Sequence, residues 1–472
     1  MNSRENTSKP TEIEEPTTVK MILFSMGYFL NGFLIVAFGS FVWHFYEVEL
    51  GLINIIHLWP LYLWIVYVIF TLFSMVTNPF IGYLTDKPMK WTRKRGFHTP
   101  WIIIGGVPTV IFFFLIFTPP KVTGNESVFP ILFYFLILVF LYDMCNSLFQ
   151  THSFGAFPAH FRGDITRRKA GMVTQIFIFL ASFLATTIWS VIIIPGNPAT
   201  FTTAAFISFI ILGISLVVFI PGSKETGEIK ERFILGYETA EKKSFFWTMK
   251  MAIKQKNFML ALLTYIFFMI ALGLMSTNTV NFVDDVLKRG QIVRIYGSVF
   301  MLITSTATMP IWIRIARKIG HSHTYSIGLL LFGFSLLLYS FVSNIIQYYI
   351  VNSLSGMSVA MFTIMLSPVL ADCYDEIAVK TKKHLESTLI GIRNLFVRIS
   401  VIIQSLIVAI VHIITVFDPI NPSKEALLGL RLLQGFFPFL FCIIAALIFY
   451  KWFDLKGTKK KEIMEKLHEM GL

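Results

Sequence analysis

The feature that most constrains this chain is its series of long apolar runs. About twelve stretches of roughly 20 mostly apolar residues follow one another, which is the length that an α-helix needs to cross a bilayer. With 55% hydrophobic residues and a mean hydropathy of +0.69, the chain is too apolar to stay in water. Because backbone groups in lipid must be bonded within the protein, these runs predict helices. We therefore predict an all-α membrane protein with about twelve transmembrane helices in two six-helix bundles.

The longest polar connection divides the apolar runs into two sets of six. It contains Lys and Arg mixed with Glu, and weak sequence echoes on its two sides suggest a duplicated half. Two halves of six helices around a cavity at the bilayer midplane are the arrangement used for alternating access. The predicted parts are a disordered cytoplasmic tail (1–20), a first bundle (21–220), a cytoplasmic linker (221–256), a second bundle (257–452) and a cytoplasmic C-terminal tail (453–472).

The distribution of basic residues predicts the orientation. The net charge is +13, but the Lys and Arg residues lie in alternate connections and in the C-terminal tail rather than on one basic domain, which argues against nucleic-acid binding. Basic residues are retained on the cytoplasmic side, so both termini are expected to be cytoplasmic. The basic connections are residues 87–95, 162–169, 317–318, 380–383 and 456–461.

Polar residues within the apolar runs are candidates for a site. Ser74 and Asn78 lie one helical turn apart in the second run, and a polar group in lipid is costly unless it faces the bundle interior. Asp143 lies near the middle of the fourth run, seven residues before Gln150 and on the same helical face. Asp143 is expected to bind a proton, a cation or an internal Arg, and the alternative is a purely structural ion pair.

Three stretches resemble one transporter family. They are NPFIGYLTDK followed by a basic turn and HTPWIII, AFPAHFRGDITRRKAG, and LADCYDEIAVKTKKHLESTLIGIRNLFVR. They are similar to the motifs of the glycoside-pentoside-hexuronide:cation symporters of the major facilitator superfamily, and with the twelve-span layout the resemblance covers nearly the whole chain. It implies the major facilitator fold and transport of a sugar or glycoside, with Na⁺ or H⁺ as a coupling ion.

The chain departs from this family at the positions that bind the coupling ion. The resemblance implies carboxylates on spans two and four, where this chain has Ser74, Asn78 and Gln150. Neutral oxygens bind sodium more weakly than carboxylates and cannot release a proton. The candidate cation site is therefore Ser74 and Asn78 together with Asp143.

The candidate substrate site is assembled from several spans. The resemblance places Arg398 where the family has an inward Lys, and Gln175 approximately where it has an Arg that contacts sugar. A guanidinium offers a fork of donors to hydroxyls and could pair with Asp143 in the empty site. The alternative for Arg393 and Arg398 is a side chain that reaches the membrane edge. The candidate substrate-binding residues are Asp143, Gln150, Gln175, Arg398, Asn394, Arg393 and Asn31.

Charged residues at the cytoplasmic ends of helices are candidates for a gate. Ion pairs between the two halves could close the inner mouth and break as the halves move. The alternative is ordinary solvated loop charge, because exposed pairs contribute little. The candidate gating residues are Asp86, Arg168, Asp372 and Asp375.

The sequence as a whole predicts a secondary transporter. Walker A, dinucleotide-binding and nucleophile-elbow motifs are missing, so an enzyme is not expected, and the His residues show no metal-binding spacing. We expect a monomer of the plasma membrane whose partners are a small-molecule substrate and membrane lipids, with no cofactor beyond Na⁺ or H⁺. The alternatives are an uncoupled carrier, a carrier of a lysolipid-type amphiphile with a charged head, and a membrane sensor or scaffold that does not transport.

Overall fold

The structure is a computed structural model that describes residues 17–85, 88–122, 124–161, 164–239, 245–381 and 386–469. Twelve helices in these residues are long and apolar enough to cross a membrane, and strands are not found among them. The prediction of an all-α protein with twelve spans is confirmed.

The first six spans run from Thr18 to Ser223. Span 1 begins with the Thr17 hydroxyl accepting a hydrogen bond from the Lys20 amide at 3.3 Å, while residues 1–16 of the predicted tail lie outside the described residues. The helices are Thr18–Ala37, continued by π-helical turns at Phe38–Val42 and Phe45–Glu49, then Trp59–Thr85, Thr99–Ile116, Val128–His160, Asp164–Ile192 and Pro198–Ser223.

The second six spans follow a connection that contains two further helices, Gly227–Thr239 and Phe245–Ile253. Span 11 consists of two helical segments that meet at Arg398, and span 12 contains a π-helical turn. The helices are Lys256–Asn281 with a π-helical turn at Phe282–Val286, then Gln291–Ile319, His321–Tyr339, Ile345–Thr381, Glu386–Val397 with Ile399–Ile414, and Lys424–Arg431 with Leu432–Phe436 and Phe437–Trp452.

The two sets of six spans pack in the same way. In the first set, span 1 contacts spans 5 and 6, span 2 contacts span 4, and span 3 contacts spans 4 and 6. The equivalent contacts in the second set are those of span 7 with spans 11 and 12, span 8 with span 10, and span 9 with spans 10 and 12. Between the sets, span 2 packs against span 11, span 5 against span 8, and span 1 against span 7. Each set is called a half below, and this repetition agrees with the duplication suggested by the sequence.

Glycines set the close approach of neighbouring spans. A Cβ atom on Gly105 of span 3 would lie 2.7 Å from the Phe149 amide nitrogen of span 4, and one on Gly356 of span 10 would lie 2.5 Å from the Met301 carbonyl oxygen of span 8. Any larger residue would force each pair of helices apart, so these glycines set the spacing of spans 3 and 4 and of spans 8 and 10.

A helix at the C-terminus, Gly457–Glu469, packs against the end of span 10. Lys460 forms an ion pair with Asp372 at 2.5 Å, and the Asp454 carboxylate accepts hydrogen bonds from Lys459 at 2.5 Å and Asn257 at 2.7 Å. Partial burial acts to raise the pKa of Asp454, but these hydrogen bonds outweigh it and lower the pKa to about 2. We call the membrane side that carries this helix and the start of span 1 the tail side, and the opposite side the far side.

Candidate functional site

An ion pair joins the two halves near the middle of the spans. Arg398 Nη1 donates to Asp143 Oδ1 at 2.6 Å, which links span 11 to span 4. The Ser74 hydroxyl on span 2 donates to Asp143 Oδ2 and accepts from Arg398 Nη1 at 2.9 Å. The Ser147 hydroxyl, one turn after Asp143, accepts from Arg398 Nη2 at 3.0 Å. The four side chains form one hydrogen-bonded cluster drawn from three spans.

This cluster is mostly removed from solvent. The Asp143 side chain is 11% exposed and the Arg398 side chain 22% exposed. Moving two charges out of water costs several kcal/mol per ion, and the loss is offset only when the pair is close and its remaining hydrogen-bonding groups are satisfied. The serine hydroxyls meet that condition, because Ser74 bonds to both members of the pair and Ser147 bonds to Arg398. The sequence predicted that Asp143 and Arg398 could pair, and the structure brings them together.

Arg398 lies at a tighter turn of span 11. The helical segments on either side end at Val397 and begin at Ile399, and the Arg398 backbone stays in the helical region at φ −62° and ψ −22°. The Val401 amide donates to the Arg398 carbonyl at 3.0 Å, which is the bonding of a 3₁₀ turn. Ser147 was not predicted from the sequence, although its spacing of four residues from Asp143 places it on the same helical face.

A second polar contact lies on the same face of span 4. Gln150 Nε2 donates to Asn31 Oδ1 of span 1 at 2.7 Å. Gln150 follows Ser147 by three residues, so the amide pair is a neighbour of the ion pair along the helix. Gln175 is half-buried on span 5. The structure therefore places amide groups of spans 1 and 4 beside the charged cluster.

Span 2 contributes oxygen atoms that lack partners. Thr71 Oγ1 and Asn78 Oδ1 are buried and make no hydrogen bond within the described part of the chain. Thr71, Ser74 and Asn78 are spaced three and four residues apart and so share one face of the helix. A buried acceptor without a partner costs about 1 to 3 kcal/mol, which makes these oxygens candidates for a ligand. Thr71 was not predicted from the sequence, because nothing in the pattern of the apolar run distinguishes its hydroxyl from those of other threonines in helices.

Arg393 and Asn394 lie apart from this cluster. The Arg393 guanidinium donates to Asn394 Oδ1 at 3.0 and 3.2 Å and lies 5.9 Å from the centre of the Tyr265 ring on span 7. Asn394 is exposed. Both were predicted as substrate ligands, but their contacts are with each other and with span 7 rather than with Asp143.

The predicted gating residues are only partly described. Asp86 lies outside the described residues, and Arg168 lies on span 5 with a side chain that is not among those described. The ion pair of Asp372 is with Lys460 of the tail helix, so it does not join the two halves. Asp375 lies three residues further along span 10, and it is half-buried. A gating role for these residues remains a prediction.

On the far side, a buried polar network also joins the halves. His412 Nδ1 of span 11 lies 2.6 Å from Glu47 Oε1 of span 1, and Trp43 Nε1 donates to Glu47 Oε2 at 2.6 Å. His44 Nδ1 lies 2.5 Å from Asn281 Oδ1 of span 7, and its Nε2 lies 3.2 Å from Glu49 Oε1. We call Glu47, Glu49, His44 and His412 the far-side cluster.

Spans 5 and 8 are also bonded together on the far side. Arg294 forms an ion pair with Asp284 at 2.6 Å and donates to the Ser190 hydroxyl at 3.4 Å. Gln291 Nε2 donates to the Ile193 carbonyl at 2.7 Å. Together with the far-side cluster, these contacts hold the halves closed on this side. This closure was not predicted from the sequence; the signal was the acidic pair Glu47 and Glu49 at the end of an apolar run.

The chain is similar to known transport proteins. A family model described as MFS/sugar transport protein matches residues 21–456. An uncharacterized symporter, YjmB of Bacillus subtilis (strain 168), is 22% identical over 417 residues, which are 86% of each chain. The sodium-dependent lysophosphatidylcholine symporter 1-A of Danio rerio is 30% identical over 88 residues, which are 19% of this chain and 16% of that protein.

Solved structures share the fold. A crystal structure of the nucleoside transporter NupG matches with a TM-score of 0.60 at 13% identity, and it covers 93% of this chain and 100% of that chain. A crystal structure of the peptide transporter POT matches with a TM-score of 0.59 at 12% identity, covering 96% and 97% of the two chains. At this level of identity, the likeness concerns the arrangement of the helices.

Proposed function

This chain belongs to the family of MFS/sugar transport proteins, and on that basis we propose that it moves a small polar solute, a sugar or glycoside, by alternating access. It is an integral membrane protein of the transporter type. The observation that supports this proposal most directly is the Arg398–Asp143 pair, because it joins the halves at mid-membrane and is surrounded by hydroxyl and amide groups. A transporter that rocks its halves around a central site needs groups of this kind there.

The ion pair suggests how a hydroxylated solute would bind. Sugar hydroxyls both donate and accept, so they can replace the serine hydroxyls on Arg398 and Asp143 without leaving either charge unpaired. The Gln150–Asn31 pair and Gln175 supply further amide groups. A solute that exchanges with bonds between the halves would shift the equilibrium between conformations, because it interacts differently with each of them.

We also propose that a cation competes with Arg398 for Asp143. The ion would be Na⁺, held by Asp143, the Ser74 hydroxyl and the Asn78 carbonyl oxygen, or a proton on Asp143 itself. Asn78 Oδ1 and Thr71 Oγ1 are buried acceptors without partners in the described chain, and hard cations prefer oxygen ligands. Either ion would neutralise Asp143 and release the guanidinium to the solute, which links the two binding events.

The proposed setting is the plasma membrane, with the protein acting as a monomer and the tail side facing the cytoplasm. The excess of Lys and Arg in the tail-side connections supports this orientation. In this orientation the far-side network closes the extracellular mouth.

A second substrate class has one specific observation in its favour. The Danio rerio protein to which 88 residues are similar is a sodium-dependent lysophosphatidylcholine symporter. An amphiphile with a charged head would place an anionic group against Arg398 and its acyl chain against the Phe-rich helix surfaces. Competition assays separate the two classes, with lysolipids tested against uptake of a labelled sugar and sugars tested against uptake of a labelled lysolipid.

The first experiment is a thermal-stability screen of the purified protein against sugars, lysolipids, NaCl and pH. A ligand that binds only the folded protein at 100 times its Kd stabilises it by about 2.7 kcal/mol. We expect a sugar or glycoside to stabilise the wild type and Asp143→Asn to abolish the response to Na⁺ or to pH. Asp418→Asn, a matched change in a far-side loop, serves as the control and is expected to behave as the wild type.

Substrate counterflow in liposomes then tests transport itself. Exchange of an identified ligand across the membrane is the expected result. Binding without exchange would contradict the carrier proposal and favour a sensor or scaffold. Unchanged Na⁺ and pH responses in Asp143→Asn would contradict the proposed cation site and favour an uncoupled carrier.

A further inference from the structure

The second helix of the connection between the halves, Phe245–Ile253, is docked on the second half by one face. We call it the linker helix. Its Ala252 side chain is fully buried, and Met249 and Met251 are partly buried against the hydrophobic core. The helix contacts the tail-side ends of spans 7 and 11. The chain turns at Gln255, whose backbone is extended at φ −86° and ψ 109°, so the linker helix is not a continuation of span 7.

The opposite face of the linker helix is exposed and mixes apolar with basic side chains. Trp247, Lys250 and Ile253 follow one another at intervals of three residues, and Lys254 comes four residues after Lys250. Side chains at this spacing share one face of a helix. The Trp247 and Ile253 side chains are 45% and 43% exposed, and both lysines are exposed. The helix therefore presents an aromatic ring, an aliphatic side chain and two ammonium groups away from the protein.

The two lysines on this face are not neutralised by the protein. The sequence from 242 to 283 contains no acidic residue, and neither Lys250 nor Lys254 forms an ion pair within the described part of the chain. Lys256, two residues further on, differs because it pairs with Asp454 at 3.3 Å. The positive charge of the exposed face is thus available to an anionic partner from outside the chain.

Two other helices on the tail side lack this excess of positive charge. The tail helix exposes Lys461 and Lys466, but Glu462 and Glu465 are exposed between them. The first helix of the connection, Gly227–Thr239, contains three Glu residues against one Lys and one Arg. Opposite charges that alternate on an exposed face need no external partner. The comparison sets the linker helix apart from both, although all three lie on the same side of the membrane.

The composition and the position of the exposed face favour a membrane surface as its partner. Helices that lie in the headgroup region combine basic residues with Trp and aliphatic side chains, and Trp is enriched at that depth in membrane proteins. Lysines next to a span attract anionic lipid headgroups, and their long stems run along apolar surface while the ammonium stays in the polar layer. The linker helix meets these conditions, because it packs on the ends of two spans.

We propose that the exposed face of the linker helix binds the headgroups of anionic phospholipids in the tail-side leaflet. Trp247 and Ile253 enter the boundary between headgroups and acyl chains, while Lys250 and Lys254 donate to the lipid phosphates. Because the inner face is docked on spans 7 and 11, bound lipid holds this part of the second half at the membrane surface. The site is separate from the central cluster, and it does not depend on which solute the protein moves.

The test measures contact between the linker helix and lipids of different headgroup in the full-length protein in nanodiscs. A fluorophore is attached to Ile253→Cys; Cys145→Ser removes the partly exposed native cysteine, while Cys373 and Cys442 are fully buried. Quenching by spin-labelled phosphatidylglycerol is compared with quenching by spin-labelled phosphatidylcholine. Two lysines near an anionic surface favour the anionic lipid up to about 30-fold. The preference should fall when the salt is raised from about 0.1 M to about 1 M, because salt screens the attraction.

Two matched double variants locate the effect. Lys250→Gln combined with Lys254→Gln should abolish the preference for phosphatidylglycerol. Lys461→Gln combined with Lys466→Gln removes the same charge from the tail helix, and it should keep the preference of the parent protein. Equal quenching by the two lipids in the parent protein, no quenching by either lipid, or a preference that survives the change of Lys250 and Lys254 would each overturn the proposal.

Hydrogen exchange tests the same site in the unlabelled wild type, so the proposal stays testable even when the variants fail to fold. Exchange over 245–256 should be slower in nanodiscs that contain phosphatidylglycerol than in nanodiscs of phosphatidylcholine alone. Unchanged exchange would contradict the proposal. Free glycerol phosphate added to phosphatidylcholine nanodiscs should not slow exchange; equal slowing would overturn the membrane-surface proposal in favour of a soluble phosphate.

Discussion

The central ion pair predicts a specific pattern in a double-mutant cycle. Removing one member of a buried pair costs about 3 to 5 kcal/mol because the other charge stays buried without compensation. The Arg398 side chain is 22% exposed and the Asp143 side chain 11% exposed, so water partly relieves the remaining charge. We therefore expect Asp143→Asn and Arg398→Gln each to lower the free energy of unfolding by about 3 kcal/mol, the lower end of that range.

The double variant should be less destabilised than the sum of the two. Two amides at these positions can bond to each other and to Ser74 and Ser147, so we expect a total loss of about 2 kcal/mol. The coupling energy is then about 4 kcal/mol, which matches the interaction of two charges 4 Å apart at an effective dielectric of about 20. Equilibrium unfolding in mixed detergent micelles measures all four proteins. A double variant that loses the full sum, about 6 kcal/mol, would show that the two charges do not stabilise each other.

Three further predictions test other features. Gly105→Ala should destabilise the protein by about 1 to 3 kcal/mol, because its Cβ would meet the backbone of span 4. Gly213 has open space around it, so Gly213→Ala should leave stability unchanged. Thermal unfolding compares the two variants, and equal losses of stability would contradict the packing argument. Asp454→Asn should release the tail helix, which would appear as faster hydrogen exchange over 457–469. In the wild type the Asp454–Lys459 contact should persist at neutral pH and weaken as the pH falls from about 4 through the Asp454 pKa of about 2. A tail helix that stays protected from exchange in the variant would refute this role of Asp454. Gln175→Ala should leave thermal stability nearly unchanged while weakening substrate affinity in a binding titration, and an unchanged affinity would remove Gln175 from the site.

Much of the fold was predictable because lipid leaves few alternatives. Apolar runs of spanning length must become helices when no water is present to bond their backbones. For the same reason the polar Ser74 and Asp143 were expected inside the bundle, and the structure places them in one cluster with Arg398. The predicted membership of the major facilitator superfamily is also confirmed by the family match over residues 21–456, and the narrower symporter family remains consistent with it.

The far-side contacts were not predictable from local sequence. Glu47 and His412 are 365 positions apart, and their meeting depends on how the two halves dock rather than on any periodicity within a helix. Thr71 and Ser147 were missed for another reason, since a hydroxyl in an apolar helix often bonds its own backbone carbonyl and carries no functional signal. The contact of Asp372 with Lys460 was not predictable because it involves a C-terminal helix that the sequence did not indicate.

The π-helical turns recur at the far ends of spans 1 and 7, which occupy equivalent positions in the two halves. Each wide turn adds a residue to the helical repeat and rotates every side chain beyond it relative to a regular helix. Glu47 and Asp284 both lie within such turns. The direction of the acidic groups at the far-side mouth is thus set by a local change of winding, so shortening either turn by one residue would re-aim a carboxylate while leaving the composition of the mouth almost unaltered.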